Sequence, residues 1–220
     1  QKDSAFSLED RVGLVSDAFT LAQAGYSKTS GGLALMHALR GDNSSLVNTA
    51  AALNLGKLAS VWWEQPQSVR DGINRFRADV FGPMARELTF EFGANDSSEL
   101  RELRETVITA AASAGDTWTL DEIRRRFAPL QEHGDYSLIH PDLLRTVLSQ
   151  AVKHGGEAEY ETVMGVYRAP PTPAHKTSAM VALGTTQDAA LIQRTIEFVF
   201  SGQVKTQDFM YFFMSLSSNP

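Results

Sequence analysis

The chain has 220 residues, of which 43% are hydrophobic and 21% charged, and its formal net charge is −6. These proportions are typical of a globular protein, and the acidic balance argues against nucleic acid as a partner, because nucleic-acid-binding proteins carry a basic excess. The chain has no cysteine, which excludes disulfides, thiolate metal ligands and a thiol nucleophile.

No apolar run reaches the roughly 18 residues that a membrane span needs, so we expect no membrane partner. The absence of cysteine favours a reducing compartment, and we expect a cytoplasmic protein. The chain begins at Gln1 with neither Met nor an apolar signal region, and we therefore expect a piece of a longer chain, truncated at both ends.

The dominant sequence period is helical. Leu8, Val12 and Val15 begin a stripe that steps by four and three residues, and Ser7 with Asp10 predicts the cap of this first helix. A break is predicted at Gly82-Pro83. Ranges predicted to be helical are about 8–22, 29–40, 44–63, 68–81, 84–92, 98–114, 119–129, 141–154, 157–168, 173–183, 189–200 and 206–217.

In the second half of the chain the predicted helix ends recur at regular intervals, so that two successive helices span about 30 to 35 residues. This length is typical of one repeat of a helical-hairpin solenoid. No window alternates long enough to predict a strand. We therefore predict an all-α fold: a HEAT/armadillo-like α-α superhelix of stacked antiparallel helical hairpins, in which residues 1–220 form a single α-helical repeat domain.

Catalytic and metal-binding patterns are not evident. The five histidines form no H-E-x-x-H helix, and His133 and His140 are interpreted as surface or capping residues. The basic run Arg124-Arg125-Arg126 follows Asp121 and Glu122 by one turn, which favours a solvated, ion-paired face. We predict no catalytic residue, no metal ligand and no cofactor in this chain.

Five stretches together resemble the C-terminal, ER-aminopeptidase-type domain of M1-family zinc aminopeptidases, and fungal members near the puromycin-sensitive and alanine/arginine aminopeptidases in particular. One departure is Asn48, where the family often has Trp. The stretches, in chain order, are Asp10 to Phe19 with Leu21-Ala22 and Gly25, Leu58 to Trp63, His140-Pro141-Asp142-Leu143 leading to Lys153 to Gly156, Ala182-Leu183-Gly184 with Gln187-Asp188, and Lys205-Thr206-Gln207-Asp208 with Asn219-Pro220.

The resemblance implies a non-catalytic domain that encloses the substrate chamber and helps bind or gate peptides. The zinc and the residues that cleave N-terminal residues would belong to an upstream catalytic domain of the parent chain, so this fragment should be inactive. Lys205, Gln207 and Tyr211 are the candidate peptide-binding residues, because they lie in or just after the last matching stretch and could attract a peptide carboxylate.

Two other interpretations stay open. A free-standing helical-repeat scaffold or adaptor would bind a protein partner. A secreted bioactive fragment or lectin-like binder is permitted by the sequons Asn43-Ser44-Ser45 and Asn95-Asp96-Ser97.

Overall fold

A computed structural model describes residues 6–217; Asn219-Pro220, the end of the last matching stretch, lies outside this range. Eleven α-helices and no strand occur in the described part, which confirms the predicted all-α fold class. The helices are α1 (Leu8–Gln23), α2 (Thr29–Ala38), α3 (Ser45–Val61), α4 (Gln67–Leu88), α5 (Ser98–Ser113), α6 (Thr117–His133), α7 (Leu144–His154), α8 (Glu157–Arg168), α9 (Pro173–Leu183), α10 (Ala189–Phe200) and α11 (Phe209–Leu216).

Single 3₁₀ turns, Pro141–Leu143 and Thr206–Asp208, precede α7 and α11. No helix in residues 6–217 combines the length and the apolar character that crossing a bilayer requires.

The chain divides into two compact units, residues 1–119 and 120–220, and the boundary falls within α6. The single repeat domain over residues 1–220 stays a prediction. In the first unit, α1 packs on α2 and α3, and α5 packs on α3 and α4. Each odd-numbered helix therefore contacts the next odd-numbered helix, as in stacked helical pairs. The core here includes Val15, Leu55, Phe81, Val107 and Ile108, all fully buried.

The second unit repeats this contact pattern. Helix α9 packs on α7, α8 and α11. Tyr160 is fully buried, and its hydroxyl lies 2.8 Å from Oγ1 of Thr195, so this buried polar atom has a hydrogen-bond partner. Leu148, Leu183 and Phe212 fill the space around the same helices and are also fully buried.

Several helix ends follow the predicted cap chemistry. Ser7 and Asp10 form a reciprocal capping box, in which Ser7 Oγ accepts from the Asp10 N–H at 3.1 Å and Asp10 Oδ2 accepts from the Ser7 N–H at 3.2 Å. Asp188 caps α10 through two backbone N–H groups. His140 Nδ1 accepts from the Asp142 N–H at 3.2 Å ahead of Pro141, which confirms its interpretation as a capping residue.

The predicted break at Gly82-Pro83 is wrong. Helix α4 runs unbroken from Gln67 to Leu88 with Pro83 inside it. Phe81, Gly82 and Met84 are buried around the exposed Pro83, so packing outweighs the one backbone hydrogen bond that proline cannot make. The helix then ends at Thr89, whose φ of 54° lies in the left-handed region.

The predicted bounds of α6 are also wrong. Thr119 lies within the helix, which begins at Thr117, and Pro129 does not end it. The cap is Asp116, whose Oδ2 accepts from the Thr119 N–H at 3.0 Å and from the Thr119 hydroxyl at 2.8 Å. Arg86 lies 2.8 Å from the other carboxylate oxygen, so a long-range ion pair holds this cap in place.

Candidate peptide-binding surface

The segment from Val204 to Phe209 is anchored by two buried side chains. Val204 is 5% exposed and Asp208 is 8% exposed. Asp208 Oδ2 lies 3.5 Å from Nζ of Lys176, and this ammonium also lies 5.1 Å from the centroid of the Tyr167 ring. The turn before α11 is therefore tied to α8 and α9 by charge and by a cation–π contact.

The three predicted peptide-binding residues lie on this anchored segment or just after it. The side chains of Lys205 and Gln207 are exposed on either side of Thr206, and Tyr211 is half-buried in the first turn of α11. Both exposed side chains could reach a ligand without any change of the backbone. Their role in peptide binding stays a prediction.

An exposed apolar surface lies beside them, formed by Phe200, Phe209, Met210, Phe213 and Met214 and here called the α10–α11 apolar surface. Phe200 is 65% exposed, and its ring centroid lies 5.7 Å from that of Phe209 and 6.0 Å from that of Phe213. Met210 is 67% exposed and Met214 57%. Contiguous exposed aromatic and thioether side chains are typical of binding surfaces.

As a sequence pattern, the aromatic cluster Phe209, Tyr211, Phe212 and Phe213 favours core packing, and this interpretation misses the surface. That interpretation is right for Phe212, which is fully buried against Tyr167 and Phe198. It is wrong for Phe213, which is 38% exposed. The sequence signal for this surface is the unbroken apolar run from Phe209 to Met214. Such a run makes a helix apolar on every side, and neighbours that pack on one side leave the other side exposed.

The second unit also holds a small cavity between α6, α7 and the start of α8. Its volume is about 220 Å³. Gln150 Oε1 is buried at this cavity without a hydrogen-bond partner among residues 6–217. The lining residues are Leu120, Ile123, Arg124, Phe127, Gln131, Gln150, Ala151, His154, Gly155 and Glu159.

Burial and neighbouring charges shift the pKa values of two side chains at this cavity. Partial burial, followed by the positive charges of Lys153 and Arg124, lowers the pKa of His154 below its ordinary value of 6.5. The backbone N–H of Gly156 donates to Glu159 Oε2 at 2.8 Å, and this bond is the first cause of a lowered pKa of Glu159. The neutral form of His154 and the ionised form of Glu159 are therefore both favoured relative to the free side chains.

The basic run on α6 is only partly solvated. Arg124 pairs with Asp121 at 2.5 Å and Arg125 with Glu122 at 2.9 Å, as the one-turn spacing predicts. Arg126 is 4% exposed and also bonds Glu122, so the third arginine belongs to the core and not to a basic surface.

Metal ligands are not assembled in the part of the chain that the structure describes. No group of three or more His, Asp or Glu side chains between residues 6 and 217 could hold a metal ion. His133 lies 3.6 Å from Glu132 on the surface, and His140 is used as a helix cap. These residues do not fit a zinc site, and no step at zinc is assigned to them.

Comparison with known proteins decides the family. A sequence model described as the ERAP1-like C-terminal domain matches residues 1–220. The chain belongs to this family. The resemblance seen in the sequence is thereby confirmed.

Curated relatives of the chain are M1-type aminopeptidases. The alanine/arginine aminopeptidase of Saccharomyces cerevisiae is 31% identical over 204 residues, which cover 92% of this chain and 24% of that protein. The mitochondrial aminopeptidase 2 of the same yeast is 30% identical, covering 94% and 22%. Aminopeptidase M1 of Arabidopsis thaliana is 27% identical, covering 92% and 23%. The chain thus spans less than a quarter of the length of these relatives.

Proposed function

We propose that this chain is the non-catalytic C-terminal domain of an M1 zinc aminopeptidase. In this proposal the parent is a hydrolase whose upstream catalytic domain holds the zinc and removes N-terminal residues from peptides, and the residues described here enclose the substrate chamber and help bind or gate the peptide. The observation that carries the proposal is the family match over residues 1–220. A cytoplasmic location belongs to the same proposal.

Peptide contact is assigned to the C-terminal surface for two reasons. Lys205 offers an exposed cation for a peptide carboxylate, with the polar side chain of Gln207 two residues away. The α10–α11 apolar surface offers rings and thioethers for apolar peptide side chains. Together they provide the mixed polar and apolar character that peptide recognition requires.

The test is peptide binding to the chain, measured by fluorescence anisotropy with a labelled nonapeptide. Because exposed ion pairs contribute about 0.2–1 kcal/mol, Lys205→Ala should weaken binding by roughly 1.4- to five-fold. Lys28→Ala, which removes an equally exposed lysine at the start of α2, is the matched control and should bind as the unaltered chain does. Equal affinity of the two variants would remove Lys205 from the proposed site.

The parent reading frame separates this proposal from a free-standing scaffold. An H-E-x-x-H helix encoded upstream supports the aminopeptidase domain. A start codon close to Gln1 would instead support an independent adaptor.

A further inference from the structure

Three arginines are buried among residues 6–217, and they differ in what neutralises them. Arg77 is 8% exposed, Arg104 is 6% exposed and Arg126 is 4% exposed. A guanidinium stays charged at any physiological pH, so its burial is costly unless a carboxylate and further hydrogen bonds compensate for the lost water. Each buried arginine should therefore have an acidic partner.

Two of the three have such a partner. Arg104 Nη1 lies 2.6 Å from Asp96 Oδ2, its Nε donates to the Leu88 carbonyl at 3.1 Å, and its guanidinium lies 4.6 Å from the Phe92 ring centroid. Arg126 bonds Glu122 one turn earlier on α6. At these two sites a carboxylate compensates the charge of the buried guanidinium.

Arg77 on α4 lacks that compensation. Its Nη1 donates to Asn74 Oδ1 at 3.1 Å, a neutral acceptor, and its Nε is buried with no hydrogen-bond partner within the described part of the chain. No carboxylate of residues 6–217 lies within ion-pair distance of it. Burial lowers the pKa of Arg77, and no neighbouring negative charge offsets this effect.

The surroundings on α4 add to the positive charge. Arg70 lies seven residues earlier, which places it two turns away on the same face. It is half-buried, and its Nε likewise has no partner in the described range. Asp71 and Asp79 are exposed, and Asp71 is engaged by Gln67 Nε2 at 2.7 Å. The acidic residues of the helix therefore leave Arg77 unneutralised.

We propose that Arg77, with Asn74 beside it, is a binding site for a carboxylate supplied by another molecule. The Nε and one Nη of a guanidinium match the two oxygens of a carboxylate, so a single ligand would satisfy the buried donor and neutralise the charge together. Arg70 and Asn74, which precede Arg77 by two turns and one turn on α4, are both half-buried and lie on the same side of the helix. A peptide C-terminus and an acidic side chain share this chemistry.

The site uses none of the peptide-binding residues proposed above, since Arg77 and Asn74 belong to α4. Its direct test is an NMR titration of the ¹⁵N-arginine-labelled chain with sodium acetate, with chloride keeping the ionic strength constant. The Nε–Hε signal of Arg77 should shift and saturate, whereas that of Arg75, exposed on the same helix, should not. If the chemical shift of the Arg77 Nε–Hε signal does not change up to 200 mM acetate, the site is overturned, because this concentration is on the order of the weakest dissociation constant of interest.

Peptides distinguish the two sources of the carboxylate. A hexapeptide of neutral residues with a free C-terminus is compared with its C-terminal amide and with an amide that contains one Glu. If only the free C-terminus shifts the Arg77 signal, the ligand is a chain end; if the Glu peptide does so, the ligand is a side chain. Failure of both peptides and of acetate assigns Arg77 a structural role only.

Variants supply a second, independent readout. Ligand that binds only the folded state raises the melting temperature. Added acetate should therefore raise the melting temperature of the unaltered chain and of Arg75→Gln, and this rise should disappear in Arg77→Gln. The same rise in all three proteins would contradict the proposal, and the titration of the unaltered chain remains decisive if Arg77→Gln does not fold.

Discussion

Gly184 lies at a close approach between two helices of the second unit. A Cβ at this position would lie 2.7 Å from the carbonyl oxygen of Phe212 and 3.2 Å from the backbone nitrogen of Leu216. Ser215 Oγ donates to the Val181 carbonyl at 2.6 Å across the same contact. The end of α9 therefore meets the backbone of α11 directly, and only glycine leaves room for it.

Gly184→Ala should consequently destabilise the chain. Overpacking against backbone, which cannot rotate away as a side chain can, costs about 1–3 kcal/mol. Urea unfolding followed by circular dichroism measures the loss. Gly165→Ala is the matched control, because Gly165 lies inside α8 with nothing within 4 Å of its missing Cβ. This control should gain about 0.5–1 kcal/mol from helix propensity alone. Equal stability of the two variants would contradict the close approach of α9 and α11.

His154 provides a prediction about pH. Its pKa in the folded chain lies below 6.5, the ordinary value, which approximates the unfolded chain. The unfolded chain therefore binds the proton more readily, so the stability linked to this histidine is fully present above pH 6.5 and decreases as the pH falls through and below that value. Arg124→Gln removes one of the positive charges and should raise the pKa of His154, measured from its Cε1–H signal by NMR. An unchanged or lower pKa in Arg124→Gln would show that this cation does not act on the imidazole.

At the scale of single elements, α6 depends on one buried carboxylate. Asp116 caps the helix through Thr119 and pairs with Arg86, and its side chain is only 8% exposed. Loss of a cap typically costs about 1 kcal/mol, and the fully buried Thr119 hydroxyl, left without its acceptor, adds to this cost.

Asp116→Ala should therefore lower the free energy of unfolding by roughly 2–3 kcal/mol, measured by urea denaturation. Asp121→Ala on the same helix is the control, because Asp121 forms only an exposed ion pair with Arg124, which contributes less than about 0.5 kcal/mol. If both variants lose the same small amount, Asp116 does not hold the start of α6.

The elements that the sequence predicts well are those whose ends have local causes. Ser7 with Asp10, Pro141 after His140 and Asp188 all act through residues within three positions of the helix start, so a linear reading finds them. The start of α6 is different. Asp116 and Thr119 both have cap chemistry, and the choice of Asp116 coincides with its pairing to Arg86, 30 residues away.

The candidate sites also divide into features with local causes and features that depend on tertiary packing. Lys205 and Gln207 are exposed as their position near a turn suggests, since polar residues there need only local backbone geometry. The exposure of Phe200 and the isolation of Arg77 depend on which helices pack on α10, α11 and α4. The periodicity of a single helix cannot predict this exposure, because the burial of a side chain depends on which other helices pack against it.

At the scale of the whole molecule, two compact all-α units carry few groups suited to hydrolytic chemistry. Neither His133 nor His140 has a second histidine or two carboxylates arranged as zinc ligands within residues 6–217. Zinc that activates water is typically held by three protein ligands, and no such set occurs among the described side chains.

If the reaction belongs to an upstream domain, as proposed, the 220-residue chain should neither retain stoichiometric zinc nor hydrolyse aminoacyl anilides. Equilibrium dialysis against micromolar zinc followed by metal analysis measures the first, and a continuous absorbance assay measures the second. His133→Ala and His140→Ala are matched variants: neither should change the bound zinc, although His140→Ala should lose stability because it removes the cap of the turn before α7. If the chain binds one zinc ion and hydrolyses the substrate in a reaction that a chelator abolishes, its own residues are catalytic. This outcome would contradict the proposal that the reaction takes place in an upstream domain.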